Sequence, residues 1–272
     1  LSGEALVSYQ SVSNGLNGSL MLQMKRKKFF TKIRYTERHW SDYRVPADSF
    51  TYLSMRLPIH NNRLKNTAGM ERSANALLAF KSGIYQGRLN VSDSYQRSGF
   101  FSGAHGIPNS ASLEDDGNRW NIDLPYSLVN HLKITSTNTW TNSLLQTKLT
   151  LGYQLNHREE WSRFHTHNIS QTPPAIDPDK ELMFHLHTGS GQLQLRYTPG
   201  TSWEYYAGIS ATLQHNGIGG YGFLMPAYNR QEGGVYLLAN YQLSPMLKFS
   251  GSVRYDLGHI HSREHGDDVS EV

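Results

Sequence analysis

The sequence predicts an all-β protein, namely part of an antiparallel up-and-down transmembrane β-barrel, on three observations. Apolar residues recur with a period of two, which is the side-chain period of a strand. Short turns alternate with long polar loops along the chain. The face opposite each apolar face carries charges and amides, which a packed core would not tolerate unless that face met water.

Residues 144–167 combine these features. Leu145, Thr147, Leu149, Leu151, Tyr153 and Leu155 take one face, while Gln146, Lys148, Thr150, Gly152, Gln154 and Asn156 take the other. Residues 158–167 then become polar, charged and aromatic with no turn residue. The strand is therefore expected to continue past the medium that buries its apolar face. A water-filled barrel in a bilayer produces that pattern.

The other elements follow in order. Residues 5–12 read as a weak first strand, ending at Ser13-Asn14-Gly15. Leu20, Leu22 and Met24 alternate up to the basic run Lys25-Arg26-Lys27-Lys28, which reads as a tight turn. Phe29, Thr31, Ile33 and Tyr35 form the next apolar face, followed by a polar loop over 41–66. Residues 67–81 return to a tight connection at Ser82-Gly83. Tyr85, Gly87, Leu89, Val91 and Tyr95 go out to a loop over 98–121. Tyr126, Leu128, Leu132 and Ile134 come back to a turn at 139–143, before the strand described above and a loop over 166–180. Residues 181–198 descend to Pro199-Gly200. Trp203, Tyr205, Ala207, Ile209, Ala211 and Leu213 go out, with a loop over 215–232. Val235 to Leu243 and then Leu247 to Leu257 supply the last two faces. Within 181–198 the apolar phase switches, with Leu182, Phe184 and Leu186 even but Leu193, Leu195 and Tyr197 odd. Either a β-bulge near Gly189-Ser190-Gly191 repairs it, or the upper part stands clear of lipid and its facing is unconstrained.

About eleven strands of 12–18 residues result, longer than the usual five or six of soluble sheets and long enough to cross a bilayer and project beyond it. Short turns on one side and long loops on the other describe a bacterial outer-membrane barrel. The lumen-facing set is then Lys148, Gln154 and Asn156 on one strand and Lys248, Arg254 and Asp256 on another.

Composition bounds the alternatives. No run approaches the roughly 18 apolar residues of a transmembrane helix, a limit that leaves barrel strands untouched. Sixteen Tyr, ten Phe and five Trp are plentiful for a chain that is 38% hydrophobic, and aromatic girdles at both membrane interfaces would use them. With no Cys there is neither a disulfide framework nor a thiolate metal site. The net charge of +4 is dispersed, so no nucleic-acid partner is expected. Residue 1 is Leu, with no apolar signal segment behind it, and the last residues are loop-like. The chain is expected to be an internal piece of a longer protein.

Four stretches carry a family resemblance: Gly99-Phe-Phe-Ser-Gly-Ala-His-Gly-Ile-Pro108, Ile122-Asp-Leu-Pro-Tyr-Ser-Leu-Val-Asn-His-Leu-Lys133, Gly152-Tyr-Gln-Leu-Asn-His-Arg-Glu-Glu-Trp161 and Gly222-Phe-Leu-Met-Pro-Ala-Tyr228. The chain resembles the barrel of bacterial TonB-dependent outer-membrane receptors of the Bacteroidetes type. The resemblance implies a barrel of about 22 strands closed by a plug, of which residues 1–272 would supply roughly half. It also implies outer-membrane lipid, the TonB complex acting through a plug absent from this sequence, and a small-molecule or metal-chelate substrate as partners. The alternatives are a passive porin-like channel and a soluble all-β binding protein.

Substrate-contact candidates lie in the outer loops or at strand ends: His105, Trp120, Trp161, Phe164, His165, His167, Tyr221 and Phe223. Interface girdle is the competing reading for the aromatic members. His165/His167, His185/His187 and His259/His261 are each spaced by two and could share a strand face as imidazole ligands, but no third ligand is fixed by sequence. Glu159-Glu160 and Glu114-Asp115-Asp116 read as solvated loop charge rather than a calcium site. No nucleophile elbow, P-loop or zincin motif occurs, so no cofactor, metal or enzymatic chemistry is expected.

Overall fold

The computed structural model describes residues 1–103, 108, 110–165 and 171–263. Eleven strands form one sheet: β1 (Ser2–Gln10), β2 (Gly15–Arg26), β3 (Phe29–Trp40), β6 (Gly69–Ser82), β7 (Tyr85–Gly99), β8 (Tyr126–Thr141), β9 (Leu145–Trp161), β10 (Lys180–Tyr197), β11 (Trp203–Gly219), β12 (Tyr228–Ser244) and β13 (Leu247–Ser262). Two short strands, β4 (Ser49–Tyr52) and β5 (Met55–Pro58), make a separate hairpin inside the loop after β3. Each sheet strand pairs antiparallel with its neighbours in chain order, an open meander with no crossover. At one end the connections are tight, at residues 27–28, 83–84, 142–144, 198–202 and 245–246. Lys27 and Gly83 take positive φ in two of them, as two-residue hairpin turns require. At the other end lie 11–14, 41–68, 100–125, 162–179 and 220–227.

Register fixes the faces. Directly opposed residues of antiparallel strands point the same way. Leu149 opposes Leu193, Leu193 opposes Ile209, Ile209 opposes Val235, and Val235 opposes Tyr255. One continuous apolar face results. Its side chains stay exposed: Leu151 at 47%, Leu237 at 60% and Val253 at 64%. Among the described residues the buried apolar side chains are only Met21, Leu57, Ile59, Ala68 and Leu113, four of them outside the sheet. A sheet this long, with no core on either face, makes sense when lipid covers the apolar side. Eleven residues, 145–155, at about 3.3 Å rise and roughly 40° tilt give an apolar band of about 25 Å.

An aromatic row closes the tight-turn end of that face. Phe29 and Phe80 lie 4.9 Å apart, Phe80 and Tyr85 6.1 Å, Tyr85 and Trp140 5.4 Å. It resumes as Tyr197, Tyr205, Trp203 and Tyr241, with Trp203 4.5 Å from Tyr241. At the loop end Tyr126 stacks on Trp161 at 5.8 Å, with the Arg97 guanidinium over Tyr126 and the Lys180 ammonium over Trp161. Rings with a cationic edge suit a membrane–water boundary.

The register of β10 decides between its two sequence readings, and two other sequence expectations need correction. β10 pairs without interruption from Leu182 to Tyr197, and its one register shift lies at Lys180/Leu182, so no bulge repairs the phase at 189–191. Leu182, Phe184 and Leu186 therefore lie on the polar face, opposite Glu160, Arg158 and Asn156. β9 ends at Trp161, short of His167, because Ser162 leaves the ladder to donate its N–H to the Asp179 carbonyl at 2.9 Å. The loop expected over 215–232 shrinks to 220–227, since polar residues such as Gln214–Asn216 keep pairing where strands stand clear of lipid.

Candidate functional site

The long loops are joined by two short polar side chains at the end of β3 and before β6. Asp42 Oδ1 accepts the Thr67 N–H at 2.7 Å and the Ala68 N–H at 3.0 Å. Its own N–H donates to the Arg119 carbonyl at 2.9 Å, and Arg63 donates to the Asp42 carbonyl at 2.9 Å. Asn66 donates to the carbonyls of Phe100 and Pro125 at 3.0 and 2.8 Å, and its Oδ1 accepts the Asp123 N–H at 2.8 Å. Both side chains are buried. Asp and Asn satisfy backbone groups in this way where no ladder can. Burial pushes the Asp42 carboxyl up to about 6, against the pull of the two N–H groups.

Between the stapled loops lies a polar cavity of about 390 Å³. His60, Arg63 and Lys65 reach it from one loop, and Asp115, Arg119 and Trp120 from the other. The Gly117 N–H, at 2.9 Å, holds the Asp115 carboxyl below its ordinary value, with Asn61 donating to the same side chain. Four basic groups face two carboxylates, Asp42 and Asp115, here. Such a pocket suits an anionic ligand with a flat, polarisable part that could stack on Trp120.

A second cluster joins loop 162–179 to loop 220–227. The Tyr221 hydroxyl donates to the Arg163 carbonyl at 3.2 Å and lies 2.6 Å from Ser162 Oγ and 3.1 Å from His165 Nδ1. Ser162 Oγ donates to Glu181 at 2.7 Å, and the Phe164 ring meets Tyr221 edge-on at 5.0 Å. Burial pushes the Tyr221 hydroxyl up.

The sequence candidates therefore separate. Phe164, His165 and Tyr221 come together; Trp120 lines the other cavity; Phe223 is exposed in loop 220–227. Trp161 lies opposite Tyr126 on the apolar face, with its indole N–H donating to Glu159 at 2.8 Å. His105 and His167 lie outside the described residues. Among the described residues no three His, Asp or Glu converge as metal ligands would.

Lys148, Gln154, Asn156, Lys248, Arg254 and Asp256 fall on one face by register, opposite the apolar one. Gln154 lies 3.3 Å from His131 Nε2, and Arg254 grips Asp256 through Nε and Nη2 at 2.7 and 2.6 Å. Two further groups stand on this face. Arg196 donates to Glu204 at 2.7 Å, Asn240 donates to Glu204 at 3.0 Å, and Ser250 donates to Asn240 at 2.7 Å. Near the long-loop end, Arg38 and Glu71 (3.6 Å) line a polar pocket of about 260 Å³ with Gln10, Asn17, Trp40 and Gln96. The charged residues were visible in the alternation, but their partners depend on register between strands. The Asp42 and Asn66 staples had no local signal at all.

An exposed apolar band with an aromatic row at each end, a polar opposite face and long loops at one end define an outer-membrane β-barrel. Residues 32–271 match the family described as TonB dependent receptor-like, beta-barrel, and the chain belongs to it. Its place is the outer membrane of a Gram-negative bacterium. Among solved structures, the FrpB iron transporter of Neisseria meningitidis superposes with a TM-score of 0.64 at 15% identity, covering 95% of this chain and 39% of that one. The ferric enterobactin receptor PfeA of Pseudomonas aeruginosa gives a TM-score of 0.64 at 9% identity, covering 94% and 38%. The chain thus spans about two fifths of these structural neighbours, and identities this low establish the fold alone. No curated protein sequence matches.

Proposed function

We propose that the chain is the loop-bearing section of a receptor that captures a scarce ferric chelate, such as a siderophore complex or haem, for TonB-dependent uptake. Residues 1–272 would form roughly half of a barrel of about 22 strands, with the plug and its TonB contact elsewhere in the protein. The polar face, with Lys148, Gln154, Asn156, Lys248, Arg254 and Asp256, would line the lumen. The observation that carries the reading is the cavity held by Asp42, where His60, Arg63, Lys65 and Arg119 surround Trp120. Fixed cations beside an aromatic ring suit a chelate that is anionic and flat. The second cluster, Phe164, His165 and Tyr221 with nearby Phe223, would complete the vestibule. The names of the neighbours, an iron transporter and a ferric enterobactin receptor, support this class of substrate.

The test is uptake of radiolabelled ferric siderophores and of haem by iron-starved cells that express the full receptor or its R119A/W120A variant. Half-saturation should rise about tenfold in the variant, the loss of one charge-assisted contact and one stacking contact, with surface expression unchanged. Uptake that persists undiminished in a strain lacking TonB would favour the passive channel instead.

A further inference from the structure

Charge is spread unevenly over the polar face. On β10–β13 three arginines each have a carboxylate beside them: Arg196 meets Glu204 at 2.7 Å, Arg254 meets Asp256 at 2.6 Å, and Arg230 pairs with Glu232. On β2–β9 the same face carries Lys25, Lys32, Lys81, Arg88, Lys133 and Lys148. The carboxylates of this face on the sheet strands from β1 to β9 are Glu4, Glu71 and Glu160. Arg34, Arg38 and Arg158 already hold them, the first two at 3.3 and 3.6 Å. β7 and β8 contribute no carboxylate to this face. Among the described residues none of the six cations has a carboxylate partner.

Register arranges three of these cations as a stair. Lys148 opposes Thr139, Lys133 opposes Gln154, and Arg88 opposes Thr137, which opposes Thr150. Arg88 therefore stands level with Thr150, two residues above Lys148, and Lys133 stands four residues higher still. The climb is about 20 Å of strand, from inside the apolar band of residues 145–155 to its upper edge. Lys81 opposes Gln86 and widens the foot of the stair. Neighbouring rungs lie about 8–14 Å apart, close enough for like charges to repel, and the lipid behind the wall confines their field to the lumen. Both loops that wall the Trp120 cavity spring from these strands, 41–68 joining β3 to β6 and 100–125 joining β7 to β8.

We infer that the lumen wall of β3–β9 is a cationic lane down which an anionic chelate passes after it leaves the Trp120 cavity, an inference that rests on the function proposed above. Charge complementarity selects this cargo. A column of uncompensated cations costs repulsion in every state except the one in which an anion stands beside it. Cations placed in steps raise the local concentration of an anion along the whole wall without gripping it at one point, and passage needs both. Arg63, Lys65 and Arg119 of the cavity form the head of the lane, and Lys133, Arg88 and Lys148 continue it downward. The paired arginines of β10–β13 offer no net charge, so the lane occupies one side of the lumen.

In the experiment, iron-starved cells that express the full receptor are given radiolabelled ferric tris-catecholate, a trianion, or haem. Binding is read on energy-depleted cells and uptake on energised ones. R88Q/K133Q/K148Q should bind its chelate within about twofold of the wild type and import it about tenfold more slowly. R88K/K133R/K148R, which keeps every charge, should import at the wild-type rate, and so should R196Q/E204Q on the neutral wall. The heat-modifiable mobility of the folded barrel checks each variant. Uptake by R88Q/K133Q/K148Q equal to that of the wild type overturns the lane and leaves the function proposed above in place. A loss of binding as large as the loss of uptake also overturns it, by making these cations part of the capture site. So does new sensitivity of the cells to vancomycin with the barrel folded, which would assign the cations to an acidic face of the plug. A wild-type receptor that binds neither probe overturns the ferric-chelate reading itself, and the lane with it.

Discussion

Placing a charge at Leu151 tests the assignment of faces most directly. Leu151 lies on the apolar face of β9, opposite Ser136 of β8 and Gly191 of β10, and is 47% exposed. It sits four residues below Leu155, about 13 Å of strand and roughly 10 Å of depth after tilt. An arginine there lies near the bilayer midplane, where a cation on the lipid face of a barrel costs about 2–4 kcal/mol. That is a loss of about 30-fold to nearly 1,000-fold in the folding equilibrium. Thr150 is the control, one residue away on the polar face, where T150R should cost under about 0.5 kcal/mol. The assay is folding of the full receptor into phosphatidylcholine vesicles across a urea series, followed by the heat-modifiable band. L151R should move the midpoint to markedly lower urea while T150R leaves it in place. Equal shifts for the two, or a larger one for T150R, would refute the face assignment.

Three further outcomes are expected. Asp42 binds its proton more tightly in the folded loop than in the unfolded chain, because its carboxyl is raised from 3.8 to about 6. Its charge therefore destabilises the loop above about pH 6, and this penalty fades as pH falls from 6 towards 4. Exchange of the Thr67 and Ala68 amides, corrected for intrinsic rate, should slow from pH 7 to pH 5, and D42N should remove that dependence. W203A breaks contacts to Tyr205 and Tyr241 in the aromatic row and should lower barrel stability by about 1–2 kcal/mol in the same urea assay. In intact cells a membrane-impermeant maleimide should label E114C in the long loop 100–125. M246C, in the tight turn 245–246, should react only after permeabilisation, and residues 1–272 add no native cysteine to the background.

The sequence was most informative where lipid imposes a rule. In β9 and β11–β13 one face must be apolar, so Leu145–Leu155 and Trp203–Leu213 could be read residue by residue. Above the band both faces meet polar surroundings and the rule lapses. There the phase of β10 switches at Leu182–Leu186, and β11 runs on through His215 and Asn216 to Gly219, where a loop was expected. The loops were the least legible part. The contacts of Asp42 with Thr67, Ala68 and Arg119 join groups 25 or more residues apart. No periodicity encodes such pairings. The histidine doublets were noticed as motifs, yet only register showed that His187 of β10 and His261 of β13 lie level across His215 and Asn229.

The location of the tightly packed side chains has an evolutionary consequence. Leu57, Ile59, Ala68 and Leu113 are buried in the loops, beside Asp42 and Asn66, whereas the spanning strands bury almost no side chain. In a water-soluble protein the interior resists substitution and the periphery drifts. Here the bilayer segment should accept almost any apolar side chain that keeps its parity, since lipid conforms to whatever shape it meets. Change in the loops must instead be compensated in pairs, or confined to residues outside these small packed centres. Under the function proposed above, new ligand specificities would arise around Trp120 and Tyr221, while the staples beneath them stay fixed.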